Sequence, residues 1–418
     1  MLNFKKVEVF AIYFFWLACV LDPSAKIYYV KFFALALMLA VVTLRLTCSL
    51  PKIKINYLYF IFLSFFFFLL PVYGLFLASI RGGFGGPFID TSYITSSLYF
   101  ICSVIYIFSN NLKHAYGALL ISLRILSILI IISLLILIFE VGEAFLYFFV
   151  TNGAAYVGMR NYGGFNFYYL YFIVSPMLII LISHEVWAFL SKKSFANFAL
   201  ITLSVLALFL SGTRANMMLS LITPIFVVLW YYFGNFSYFL LLFTSSLSGL
   251  FLTVIDVPVI YDMFSLKDLS NSAKIGYLES YLNIFSDLYV FIFGQGFNAH
   301  IWSHVVMDML PEGASKTELT YLEFIRVFGI LGFVLVVSLF LCLLLTRRII
   351  RSSYPWVVPG IFLYFFVSFT NPYIFSSNGM LIIGFAVALL VQRRPSGFAG
   401  GRQIHFASAP PGASRMTS

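Results

Sequence analysis

The stretch ILSILIIISLLILIF, from Ile125 to Phe139, carries no charge, no proline and no glycine. A second, FVLVVSLFLCLLL from Phe333 to Leu345, has the same character. Such runs lack the two-residue alternation of a barrel strand and the polar face of a soluble helix. They read as helices that satisfy their own backbone hydrogen bonds inside hydrocarbon. Apolar runs of roughly 17 to 25 residues, the length that crosses a bilayer, recur along the chain. Its 418 residues are 62% hydrophobic and 10% charged, with a mean hydropathy of +1.01. This composition excludes a soluble globular domain. The expected fold class is all-α, a polytopic membrane protein of about twelve transmembrane helices.

The spans are expected near residues 7–21, 27–44, 57–79, 92–108, 118–139, 165–183, 196–211, 215–233, 237–255, 320–345, 355–371 and 374–391. An even number places both termini on one side. Lys and Arg concentrate in short cytoplasmic loops, and one set of loops holds Lys5, Lys6, Arg45, Lys52, Lys54, Lys113, Lys192, Lys193, Arg347, Arg348 and Arg351. With Arg393, Arg394, Arg402 and Arg415 of the tail, that side carries fifteen of the 25 basic residues. It is therefore read as cytoplasmic, and the opposite side as the periplasm, or the exterior in a cell with one membrane. Residues 1–255 then hold spans one to nine, 256–319 form a periplasmic polar segment, and 320–391 hold the last three spans. Residues 392–418, rich in Pro, Gly, Ala and Ser without hydrophobic periodicity, read as a disordered cytoplasmic extension.

Cys19, Cys48, Cys102 and Cys342 each fall in or beside a span with no metal-like spacing, so they read as small buried apolar residues. Lys5 and Lys6 before an apolar run read as the flank of an uncleaved first span rather than of a leader peptide.

The polar segment carries Asp256, Asp262, Lys267, Asp268, Lys274, Glu279, Asp287, His300, His304, Asp308, Glu312 and Lys316. Solvated charge is the default for most of them. Basic residues on this outer side run against the orientation rule and need a reason. Arg214 lies in the tight turn Ser211-Gly212-Thr213-Arg214 between two apolar runs, where its guanidinium either snorkels to the surface or binds an anion there. Arg160 lies between Gly158 and Gly163-Gly164, whose small size lets backbone approach a ligand. Arg81 precedes a glycine-rich loop that leaves its position undefined. Arg326 follows Glu323 by three residues, so the two share a helix face and are expected to neutralise each other. Glu318 stands where the chain re-enters the membrane, either favoured there by the helix dipole or serving as a partly desolvated general base. His300 and His304 share a face if helical, yet no third ligand accompanies them, so no metal is expected.

Taken together, Ser211-Gly212-Thr213-Arg214-Ala215-Asn216, the long external segment, Gly294-Gln295-Gly296-Phe297 and Thr317-Glu318-Leu319-Thr320-Tyr321-Leu322-Glu323 with Gly329-Ile330-Leu331-Gly332 carry a likeness. They resemble O-antigen polymerases of the Wzy type, within the superfamily that also holds O-antigen ligases. Thr370-Asn371-Pro372-Tyr373 and Ser376-Ser377-Asn378-Gly379 resemble the C-terminal part of such polymerases. Ligases of the superfamily place a His-Asn pair where this chain has Glu318-Leu319, which favours the polymerase.

The resemblance implies a membrane glycosyltransferase that polymerises undecaprenyl-diphosphate-linked repeat units into O-antigen or exopolysaccharide at the periplasmic face. Donor and acceptor are both lipid-linked, the bilayer is a partner, and a chain-length regulator and a flippase are candidate associates. No cofactor and no nucleic acid is implied. Under it, Arg160 and Arg214 bind the donor diphosphate, with Arg326 and Lys274 as weaker candidates. Glu318 deprotonates the acceptor hydroxyl, and His300, His304 and Tyr321 complete the substrate site. Tyr261, Tyr277, Tyr281, Tyr289 and Trp302 offer aromatic faces to sugars. The rivals are an O-antigen ligase and a lipid-linked oligosaccharide flippase. A transporter would carry charge at span centres, and here Arg124 is the main such case.

Overall fold

The computed structural model describes residues 4–48, 64–80, 98–99, 112–162, 165–241, 269–297, 319–345, 354–368, 374 and 376–391. Helix dominates. In chain order α1 is Phe4–Leu21, α2 is Val30–Cys48 and α3 is Leu70–Ile80, preceded by a π-helical turn at Phe65–Leu69. Then come α4 (Leu112–Phe139), α5 (Glu143–Thr151), the strands β1 (Ala155–Tyr162) and β2 (Phe165–Phe172), α6 (Leu178–Ser191), α7 (Phe195–Leu210) and α8 (Arg214–Phe233). After these follow α9 (Leu269–Phe285), α10 (Leu288–Phe293), α11 (Thr320–Leu345), α12 (Val357–Val367) and α13 (Ser377–Val391).

Three described helices are long and apolar enough to cross a membrane, at Leu112–Phe139, Arg214–Phe233 and Thr320–Leu341. Six shorter apolar helices accompany them. On α4, Ile121, Ile125, Ile128, Ile132 and Leu135 are exposed at helical spacing, while Leu119, Leu123, Leu126 and Ile130 are buried. Both faces are apolar because lipid is as apolar as a protein core, so packing rather than hydropathy selects the inner face. Ala115, Ala118 and Ser122 lie on that inner face and let neighbouring helices come close. Hydroxyls in the bundle are returned to their own helices: Ser183 donates to Ile179 O at 2.8 Å and Thr223 to Leu219 O at 2.6 Å.

Helix α6 is the hub, packed against α4, α7, α8 and α12. Its residues from Leu178 to Ser183 are all buried.

The all-α expectation is corrected at residues 155–172. There β1 and β2 pair antiparallel, from Ala155 opposite Phe172 to Tyr162 opposite Phe165. The span expected at 165–183 is thus a strand followed by a 3-10 turn at Ser175–Met177 and then α6. Aromatic side chains fit a pleated surface better than a helix interior, and FNFYYLYF supplies them on β2. Gly163-Gly164, between the strands in sequence, has the composition that tight hairpins favour. The expected span at 92–108 lies almost wholly outside the described residues, and the tail and residues 242–268 lie entirely outside them.

Helix α11 is broken. Gly329 has φ 72° and ψ 174°, far from helical values. The carbonyls near the break find new donors in the Gly294-Gln295-Gly296 segment: Gln295 N–H donates to Arg326 O at 2.6 Å and Gly296 N–H to Val327 O at 3.0 Å. Phe297 N–H then donates to Gly74 O at 3.2 Å, joining α3 to the same seam. Irregular backbone inside a membrane protein persists where other protein groups satisfy it, as here. A Cβ at Gly294 or Gly296 would strike backbone at Val327 or at Gly74 and Ala78, and both glycines have positive φ. The glycines of this element therefore serve close backbone packing.

Candidate functional site

Helix α8 begins at the turn that the sequence singled out. Thr213 caps it, its hydroxyl accepting from Asn216 N–H at 3.2 Å. Arg214 is the first helical residue, half-buried, with no acidic residue in that turn. A cation at a helix N-terminus opposes the dipole, and both features favour an anion there. Beneath the turn, the buried Asn216 amide donates to Ser175 Oγ at 3.0 Å and Ser211 Oγ at 2.8 Å. This ties the start of α8 to the end of α7 and to the turn before α6.

The hairpin lies on this turn. Phe167 meets Phe209 at 6.1 Å between ring centroids, and Tyr169 presses on Gly212. Arg160 is on β1 opposite Phe167 in the register. The two segments that carry the favoured arginines are therefore packed as one unit. Gly212 has φ 68°, and a Cβ there would collide with the Tyr169 side chain. The Gly212→Ala variant is expected to lose at least about 1–2 kcal/mol, the left-handed penalty alone, visible as a lower thermal unfolding midpoint in detergent.

A second cluster surrounds the start of α11. Arg326 donates from Nε to Glu323 Oε2 at 2.9 Å and from Nη2 to Glu323 Oε1 at 2.5 Å, with both residues at most 2% exposed. Tyr281 of α9 donates its hydroxyl to Glu323 Oε2 at 2.7 Å. Arg326 Nη1 reaches Gln295 Oε1 at 3.3 Å. The i, i+3 pair expected from sequence forms, and three separate stretches of chain meet on it. Arg326 is thereby removed from the surface where a diphosphate would lie: its fork is taken by a carboxylate and an amide in the core.

Tyr321 donates its hydroxyl to Phe365 O at 2.8 Å, so it joins α11 to α12 rather than standing open to a ligand. Tyr281 is fully buried and Tyr277 nearly so, which withdraws both from the sugar-facing aromatics. Tyr289 is exposed at the start of α10. Lys274 is half-buried on α9. Glu318, His300, His304, Tyr261 and Trp302 lie outside the described residues; the first described residue of the re-entry is Leu319, whose carbonyl accepts from Glu323 N–H at 2.9 Å.

Sequence reading noted Arg124 but missed its partner. Arg124 donates from Nε at 2.9 Å and Nη2 at 2.6 Å to Glu185 Oε1 on α6. His184 Nδ1 stands 3.6 Å from the same oxygen, and its Nε2 meets the Tyr116 hydroxyl at 2.5 Å. The available signal was the lone acid in LIILISHEVWAFLS, which an apolar helix carries only with a partner.

Fold and site define a class: a predominantly helical membrane protein with a basic helix-terminal turn backed by a hairpin, and a broken helix braced by a buried ion pair. Comparison with family models, curated proteins and solved structures yields no match to this chain.

Proposed function

We propose that this chain is an inner-membrane glycosyltransferase of about twelve spans, both termini cytoplasmic. It polymerises undecaprenyl-diphosphate-linked repeat units at the periplasmic face. The observation that carries the reading is the packing of β2 on the Ser211 to Arg214 turn, which unites the Arg160 strand with the N-terminus of α8. A lipid diphosphate is the anion suited to such a surface, since guanidinium offers bidentate geometry to phosphate oxygens.

In this mechanism Glu318 removes the proton from an acceptor sugar hydroxyl. The oxygen attacks the anomeric carbon of the donor, forming the new glycosidic bond as the bond to the diphosphate breaks. Arg160 and Arg214 hold the departing lipid diphosphate, with Lys274 as a weaker contributor of charge. His300 and His304 contact the sugars. Arg326 and Tyr321 act as positioning residues that brace α11, the helix that follows Glu318 in sequence. At an effective dielectric near 20, one charge pair at about 4 Å is worth roughly 4 kcal/mol. Two arginines thus offset much of the charge that develops on the leaving group.

Cells lacking the chain are expected to accumulate undecaprenyl diphosphate bearing a single repeat unit, with loss of long surface polysaccharide. Expression of the unaltered chain restores polymer, and the Glu318→Gln variant does not. Accumulation of long lipid-linked polymer would instead indicate the ligase, and unflipped single units on the cytoplasmic leaflet the transporter.

A further inference from the structure

Helices α1 and α4 pack side by side. Near their N-terminal ends the Tyr13 hydroxyl sits against Gly117, whose missing side chain makes room for it. Between those ends lies a groove of about 630 Å³ lined by Lys5, Lys6, Val9, Phe10, Tyr13 and His114. The lining from α1 follows helical spacing: lysines in its first turn, Val9 and Phe10 one turn further, Tyr13 beyond. Charge is thus at one end of the groove and apolar surface at the other. Phe10 is 63% exposed, with its ring stacked on Phe14 at 5.8 Å between centroids.

The groove has no acidic lining residue and neither helix has an acid in its first turn, although Glu8, buried on α1, lies one turn from Lys5. Both helix N-termini add positive potential at the same end. Lys113, exposed beside His114, adds a further charge. Arg124, further along α4, is already held by Glu185 and contributes nothing here. A free phosphate would use only the cationic mouth, and a neutral hydrocarbon only the wall of Val9 and Phe10. A ligand with an anionic head joined to an acyl chain uses both.

We propose that the groove between the N-terminal ends of α1 and α4 binds an anionic phospholipid, its headgroup phosphate on Lys6 and His114 and one acyl chain along Val9, Phe10 and Tyr13. The site is separate from the Arg160 and Arg214 surface and does not depend on the polymerase reading. Basic residues at a membrane surface each strengthen binding of anionic lipid by roughly fivefold. Reversing one charge is a change of two units, so Lys6→Glu is expected to weaken binding by roughly 25-fold on the same scale.

The test is native mass spectrometry of the full chain in detergent, titrated with phosphatidylglycerol and with phosphatidylcholine of identical acyl chains. The unaltered chain is expected to retain phosphatidylglycerol preferentially. Lys6→Glu should lose that preference, while Lys193→Glu, an exposed lysine outside the groove, should keep it. Equal losses from both variants would overturn the site in favour of diffuse surface charge. Displacement by water-soluble glycerophosphoglycerol at concentrations equal to the lipid would overturn the role of the apolar wall. Raising ionic strength toward 1 M, where the screening length is about 3 Å, is expected to abolish the preference in the unaltered chain. Persistence of the preference there would likewise overturn the proposal, and this arm needs no variant to fold.

Discussion

The Arg326→Ala variant is expected to lose about 3–5 kcal/mol of folding stability, the cost of leaving a carboxylate unpaired in a protein interior. Glu323 is 2% exposed, and its two oxygens accept from Arg326 and from Tyr281. Removing the guanidinium strands that charge and also orphans the Gln295 amide oxygen, which Arg326 Nη1 reaches. The consequence extends along the chain, because Gln295 and Gly296 supply the donors that close the break in α11. Thermal unfolding in detergent, followed by size-exclusion profile, measures the loss. Replacing the pair together, Glu323→Leu with Arg326→Met and Tyr281→Phe, removes charge and hydroxyl at once and is expected to cost much less. If the triple variant falls as far as the single one, packing volume rather than the ion pair holds this seam.

Arg214→Ala is expected to lower polymer formation by about 10²–10³-fold, the usual effect of deleting one preorganised donor to a developing negative charge. Its stability should change little, since Arg214 is half-buried at a helix end whose cap is made by Thr213 and whose anchor is Asn216. Arg214→Lys keeps the charge but not the planar fork, so partial recovery is expected. The length distribution of surface polysaccharide, with membrane expression checked in parallel, gives the answer. A normal ladder from Arg214→Ala would make Arg214 a snorkelling helix-end residue and sink the diphosphate assignment.

Local features were legible wherever the physics is local. The Glu323 and Arg326 pairing follows from three-residue spacing on a helix, and the start of α8 from a Ser-Gly-Thr turn followed by an apolar run. The hairpin was not legible because FNFYYLYF is as apolar as a span, and hydropathy does not separate an aromatic strand from a helix of that length. The partners of Glu323 and Arg326 were hidden by distance: Tyr281 is 42 residues from Glu323 and Gln295 is 31 from Arg326. No spacing rule spans such separations. Tyr281 accordingly read as a sugar-facing aromatic, although its hydroxyl is spent on a buried carboxylate.

Long uncharged runs such as Ile125 to Phe139 suffice to establish a helical membrane protein, because unpaired backbone is prohibitive in hydrocarbon. Composition leaves the inner face of each helix undefined, since lipid and core demand the same side chains. Packing resolved that, turning the exposed isoleucines of α4 outward and setting Arg124 on Glu185. Packing likewise converted the Gly294-Gln295-Gly296 element into the backbone patch for a broken helix and laid the hairpin on the Arg214 turn. These outcomes depend on contacts between distant segments, where close approach and satisfied polar groups override the preferences of any single stretch.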